Sequence, residues 1–158
     1  MKSLLRRIRH LLSWLPIIWH DRDWDWIFLI TILNRKLRNM EKFFGGEGAH
    51  LSNADNVCDR IRYARILTDR LLADDYEMAV MDRHYARWGE PIFEWLPYEE
   101  DDASVELEIR HPGIVTEQDA EMERREFRRA IESAKMSKQQ DVDQLFGIMA
   151  KYIQRWWD

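Results

Sequence analysis

Residues 23–44 read DWDWIFLITILNRKLRNMEKFF, and no other stretch of the chain says as much about its architecture. Ile27, Ile30, Leu33, Leu37, Met40 and Phe44 recur at the spacing of one helix face. Trp24, Phe28 and Ile32 widen that stripe until the first half is apolar nearly all round, the mark of a helix central to a fold or to an oligomer. Asp21, Asp23 and Asp25 crowd its start, while Arg35, Lys36, Arg38 and Lys42 gather at its end. Each sign of charge sits where the helix dipole favours it. A helix over about 22–44 is expected, ended by Gly45-Gly46.

The flanking segments extend the helical pattern. Before it, Leu4, Leu5, Ile8, Leu11, Leu12 and Leu15 share one face of a helix over about 2–15, with Lys2, Arg6, Arg7 and Arg9 elsewhere. Pro16 is expected to stop it and its leucines to pack in the core. After it, Val57, Ile61, Ala64, Leu67 or Thr68, and Leu71 mark a third helix over about 53–73, capped by Ser52 or Asn53, with Arg65 and Asp69 as an i,i+4 pair. A fourth helix over about 76–88 carries Met78, Met81, Tyr85 and Trp88 on one face and ends at Trp88-Gly89-Glu90-Pro91.

Residues 90–115 change period. Val105, Leu107 and Ile109 alternate with Glu106, Glu108 and Arg110, as in a half-buried strand, and Ile92–Leu96 is its expected partner across an acidic turn. Two strands alone are marginal, so the hairpin must lean on helices or extend a sheet in another subunit. Thr116 and Asp119 open a fifth helix with a capping-box pattern. One unbroken helix from there to the end is long for a domain of this size, so a break is expected near 136–141.

The fold class expected is therefore mostly α: a bundle of five or six helices with a small β-hairpin insert at about 92–110. A single domain over 1–158 is expected, with basic, aromatic-rich helices in 1–44, the insert in 90–115 and the C-terminal helices in 116–158. Six Gly and four Pro in 158 residues are few, which argues against an all-β fold. Residues 1–44 hold nine Lys/Arg against four Asp/Glu, a net +5, which leaves −10 for the rest of a chain at −5. Such asymmetry suits docking between the two parts, or between subunits, better than it suits DNA, which is not expected as a partner. The run Trp26–Leu33 is too short to span a bilayer, and no cleavage signal follows the N-terminal basic segment. A cytoplasmic protein is expected, with neither a span nor a membrane surface as partner.

Chemistry is sparse. The lone Cys58 excludes an internal disulfide and lies in a helical pattern, where packing is expected. His20-Asp21 is a dipeptide of metal-dependent phosphohydrolases, but those sites need further His and Asp ligands that no cluster in the sequence provides. Glu47 and His50 sit in a glycine-rich connector without a phosphate-loop Lys-Ser/Thr. No catalytic residue, metal ligand or cofactor is assigned. Arg60, Arg62 and Arg65 beside Tyr63 offer guanidinium forks and an aromatic face that suit phosphate and base recognition, and Trp24 and Trp26 join them as candidate ligand-binding residues. The competing reading pairs those arginines with neighbouring acids. The tryptophans suggest a structural clasp in which Trp156 and Trp157 dock by the start of the second helix, with Asp23 or Asp25 accepting an indole N–H.

Asp23-Trp24-Asp25-Trp26, Asp74-Asp75-Tyr76-Glu77, Trp88-Gly89-Glu90 and Trp156-Trp157-Asp158, in that order, resemble a group of small tailed-phage proteins of uncharacterised function. The resemblance implies an accessory protein at work in the cytoplasm of an infected bacterium, and it carries over no catalytic residue. The expected function is non-enzymatic binding by a homo-oligomer, countering bacterial defence by sequestering a nucleotide-like signal or by blocking a host protein. Two alternatives stay open: a metal-dependent nuclease or phosphohydrolase built on His20, Asp21, Asp23 or Asp25, and a virion or assembly component.

Overall fold

The computed structural model describes residues 2–19, 25–46, 54–98 and 101–156. Among these the chain is mostly helical: α1 (Lys2–Trp19), α2 (Trp26–Phe44), α3 (Ala54–Ala73), α4 (Met78–Trp88) and α5 (Glu117–Tyr152), with a two-stranded hairpin of β1 (Ile92–Tyr98) and β2 (Asp101–Arg110). A single 3₁₀ turn, Ile153–Arg155, follows α5. The mostly-α class with a small hairpin insert is what the periodicities predict. The residues fall into two compact units, Met1–Asp74 with Asp141–Asp158, and Asp75–Gln140.

The first unit is built on two apolar stripes. α2 buries Ile30, Asn34, Leu37, Met40 and Phe44, and α3 buries Val57, Cys58, Ile61, Ala64, Leu67, Thr68 and Leu71. Leu145 and Trp156 complete this core. Polar groups set the register between α2 and α3. Asn34 donates to Thr68 Oγ1 at 2.8 Å and to Asp69 Oδ1 at 2.7 Å, and Arg38 reaches Asp69 at 2.6 Å. Lower on α3, Arg65 and Arg62 reach Glu41 at 2.5 and 2.9 Å. Rising numbers on α2 meet falling numbers on α3, so the two helices are antiparallel. The pair Arg65–Asp69 forms as its spacing predicts.

Three helix boundaries differ from expectation. Asp25, not a residue near 22, caps α2, its carboxylate accepting the Ile27 N–H at 2.9 Å. α1 continues through Pro16 to Trp19. Proline there removes one backbone donor, towards Leu12, and the last turn survives that loss. Nor do the leucines of α1 enter a core: no side chain from Leu4 to Trp19 is buried. α5 runs unbroken to Tyr152, about 54 Å at 1.5 Å per residue. Residues 136–141 contain no Gly or Pro, and Ser137 satisfies its hydroxyl on Ser133 O at 3.0 Å, inside the helix. Its residues up to Gln140 belong to the second unit and those from Asp141 to the first.

The second unit holds α4, the hairpin and most of α5. The strands pair antiparallel, Phe93 opposite Ile109 and Trp95 opposite Leu107, which gathers the apolar alternation on one face. Glu94 and Glu108 oppose each other on the other face, and Arg110 offsets their repulsion at 3.7 and 2.7 Å. The apolar face is not covered: Phe93, Trp95, Val105, Leu107 and Ile109 are all exposed. At α5 the capping box forms as predicted, Thr116 N–H donating to Asp119 at 2.8 Å and Asp119 N–H to Thr116 Oγ1 at 3.2 Å. No helix among the described residues is long and apolar enough to cross a membrane.

Candidate metal centre

His84 lies on α4 four residues before Trp88, and these two are the buried residues of that helix. Met78 is exposed, so the inward face of α4 is centred on His84 rather than on the expected Met78–Tyr85 stripe. On α5, Glu123 and Glu126 are one turn apart and meet that face. His84 Nε2 is 2.9 Å from Glu123 Oε1, and Trp88 Nε1 donates to Glu126 Oε2 at 3.0 Å. Arg87 also holds Glu126, at 2.5 Å.

The third member arrives from the residue after β2. His111 Nδ1 is 2.9 Å from the carbonyl oxygen of Gly89. A carbonyl can only accept, so Nδ1 carries a proton in this contact, and deprotonation of the ring would free the lone pair on Nε2. That nitrogen is 4.0 Å from Glu123 Oε1. The backbone explains the aim of the carbonyl. Gly89 closes α4 at φ 84°, ψ 160°, a region that side-chain-bearing residues avoid, and a Cβ there would meet Pro112 Cδ at 2.9 Å. Gly113 N–H binds Trp88 O at 2.7 Å, so the chain leaving β2 is pinned to the end of α4. A Cβ on Gly113 would strike that same oxygen at 2.8 Å.

One donor atom from each of His84, His111 and Glu123 lies within 4.8 Å of the other two. Ligand atoms around a four-coordinate ion with bonds of ~2.0–2.1 Å sit about 3.3–3.5 Å apart, so shifts of around an ångström or less would close the set. Two imidazoles and a carboxylate suit zinc and its first-row neighbours; calcium and magnesium prefer all-oxygen sites. The hydrogen bond from His111 Nδ1 to a carbonyl is the outer-shell contact that metal-bound histidines make. The site is enclosed, with side-chain exposures of 3% for His84, 12% for His111 and 13% for Glu123. Phe127 packs edge-on to His84 at 5.3 Å and Tyr85 stacks on His111 at 6.1 Å. His84 also lines a groove of about 310 Å³ whose other polar walls include Arg83, Arg87 and Glu126.

The residues singled out from sequence lie elsewhere. Arg62 and Arg65 face α2 and are held by Glu41, while Arg62 also reaches Asp59 at 2.7 Å. Arg60 instead lies over the Tyr152 ring at 4.2 Å, and Tyr63 donates to Gln144 at 2.5 Å. The four diverge to two sides of α3, and the ion-pairing reading describes Arg62 and Arg65. Both line a second groove, about 540 Å³, with Arg38, Lys42 and Cys58, where Glu41 and Asp69 already offset the cations. Burial raises the Glu41 carboxyl, but hydrogen bonds and charge from Arg65 and Arg62 outweigh it and hold the group below its ordinary value. Asp69 is likewise lowered: burial opposes, and Asn34 and Arg38 prevail. Cys58 is buried, and burial pushes its thiol up, away from reactivity.

Of the clasp, Trp156 is 1% exposed, as expected of a docked tail. Trp26 is 46% exposed and not packed away as expected. In the antiparallel register Asn34 meets Thr68, so two turns earlier Trp26 lies beyond Ala73, where α3 has ended. Asp25 Oδ1 accepts from Ile27, and the Trp156 indole N–H has no hydrogen-bond partner among the described residues, so Asp25 does not supply that acceptor. Asp23, Trp24 and Trp157, with His20, Asp21, Glu47 and His50, lie outside the described residues.

Sequence reasoning missed His84, His111 and Glu123 because they are 27 and 12 residues apart and form no spaced motif. One signal was present: His84 falls between Met81 and Trp88 on a helix face that should be apolar. No protein-family model, curated protein or solved structure matches this chain.

Proposed function

We propose that this protein acts by binding, and that its second unit takes up one divalent transition-metal ion on His84, His111 and Glu123. The observation that carries the reading is the placement of His111: its Nδ1 lies 2.9 Å from the Gly89 carbonyl oxygen, which can only accept, and its Nε2 lies 4.0 Å from the carboxylate oxygen that His84 already contacts. A histidine and a carboxylate paired only for packing would not require a second imidazole oriented in this way. In the accessory-protein setting that the phage resemblance implies, the bound metal serves recognition. Arg83 and Arg87 on the adjoining groove are the cations through which a phosphorylated, nucleotide-like ligand would be held.

Cobalt(II) titration of the chelator-treated full-length protein tests this. A visible d–d spectrum of low coordination number, saturating at one ion per chain and lost in both His111→Ala and Glu123→Gln, is expected. A spectrum that stays that of the hydrated ion would overturn it. Metal-dependent hydrolysis is the second reading, favoured by the three candidate ligands found among the described residues: catalytic zinc sites keep the fourth position for water or substrate, while structural sites fill it with protein. Zinc-dependent cleavage of an activated phosphodiester, absent in His111→Ala, would establish it over pure binding.

A further inference from the structure

We infer that α1 of one copy of this chain docks on the apolar face of the hairpin of a second copy. Leu4, Leu5, Ile8, Leu11, Leu12, Leu15, Ile18 and Trp19 are all exposed. At 100° per residue they fall within an arc of about 140°. That is a core-facing width, broader than a coiled-coil seam, yet it meets no core. The hairpin presents a second orphan surface, made of Phe93, Trp95, Val105, Leu107 and Ile109. Two-stranded hairpins need such a face covered to be stable. A helix laid on a sheet is one of the few layer arrangements that buries both.

Charge selects this pairing over the others. Residues 2–19 carry Lys2, Arg6, Arg7 and Arg9 and no acid, a net +4. Residues 92–110 carry seven Asp/Glu against Arg110, a net −6. On the helical wheel Arg7 and Arg9 flank the two edges of the apolar arc, so α1 against α1 would set cation beside cation, and hairpin against hairpin would set acid beside acid. An anionic lipid surface would attract α1 but repel the rest of the chain, which carries −9 against the +4 of α1. Reciprocal docking, each α1 on the other copy's hairpin, would give both of these faces a partner in a closed two-fold dimer.

Complementation between two full-length variants tests the pairing. Leu11→Glu damages only the helix face and Trp95→Glu only the hairpin face, and both positions are exposed, so the fold should survive; far-ultraviolet circular dichroism checks that it does. In sedimentation velocity, wild type should be dimeric and each variant alone monomeric, with affinity lowered more than about tenfold by either change. Mixing the two variants should restore a heterodimer, because one intact α1 then meets one intact hairpin. Three outcomes would overturn the proposal: a monomeric wild type; dimers abolished by only one of the variants, which would mean like faces pair; or no heterodimer on mixing. A wild type that is monomeric and co-sediments with phosphatidylglycerol vesicles, but not with pure phosphatidylcholine, would assign α1 to lipid instead.

Discussion

The two units are held together by different means. In the first, α2 and α3 interdigitate long apolar stripes, and Trp156 is sealed at 1% exposure. Its polar contacts, Asn34 to Thr68 and Arg65 to Glu41, choose a register within a core that already exists. In the second, the buried residues among those described are His84, Trp88 and Ala134. Its attachments are polar: His84 to Glu123, Trp88 and Arg87 to Glu126, His111 to Gly89, Gly113 to Trp88. A unit with little apolar burial needs another source of stability, and small natural domains often take it from a metal or from a partner. The contrast connects the candidate metal centre and the uncovered hairpin face as two consequences of one thin core.

The largest effect should come from the first unit. Trp156→Ala opens a large cavity in a true core and should cost about 3–5 kcal/mol in urea unfolding; truncation after Ala150 should do at least as much. An unchanged midpoint would show that the tail is not part of that core. Next, zinc at about a hundredfold above its dissociation constant should stabilise the protein by about 2.7 kcal/mol. Hydrogen exchange should place the added protection in α4 and around Glu123, leaving α2 and α3 unchanged; protection spread over both units would erase the distinction. Gly89→Ala forces a side chain into a positive-φ position against Pro112, a strain of order 1–3 kcal/mol. It should also weaken metal uptake by turning the carbonyl that orients His111. Retained affinity would remove Gly89 from the site.

The smallest effect is a pH dependence to which the first unit contributes through two carboxylates. Glu41 and Asp69 have carboxyl pKa values lowered on folding. A lowered group contributes stability that is complete above its unfolded value and is lost as pH falls through its folded one. Stability should therefore decline below ~pH 5 as these groups protonate, and Glu41→Gln should flatten the decline while lowering the plateau. A decline of equal slope in that variant would assign it to other carboxylates.

Helix periodicity was legible wherever a helix packs along its length. α2, α3 and the existence of the hairpin follow from residue spacing, and the Thr116–Asp119 cap and the Gly89 stop follow from local backbone chemistry. Reasoning failed where the answer depended on a distant partner. Pro16 is a separate case, since it costs α1 only one backbone donor, and the 136–141 stretch holds no Gly or Pro to interrupt α5. Arg60 and Tyr63 point to the opposite side of α3 from Arg62 and Arg65, because neighbours in sequence diverge on a helix. Trp26 looked buried because its own helix is apolar, yet burial depended on where α3 stops.

What the residues alone determine about this protein is periodic and local: which segments are helical, where two strands alternate, where caps form, and that charge divides basic from acidic along the chain. These follow from steric and hydrogen-bonding rules acting over a few residues. Only the tertiary structure brings His84, His111 and Glu123 within 4.8 Å of one another, because their approach depends on three separate elements and on the one backbone carbonyl that Gly89 turns towards His111. Tertiary structure also decides that the apolar faces of α1 and of the hairpin are left uncovered. An amphipathic pattern specifies that a face needs a partner, and says nothing of which surface provides it.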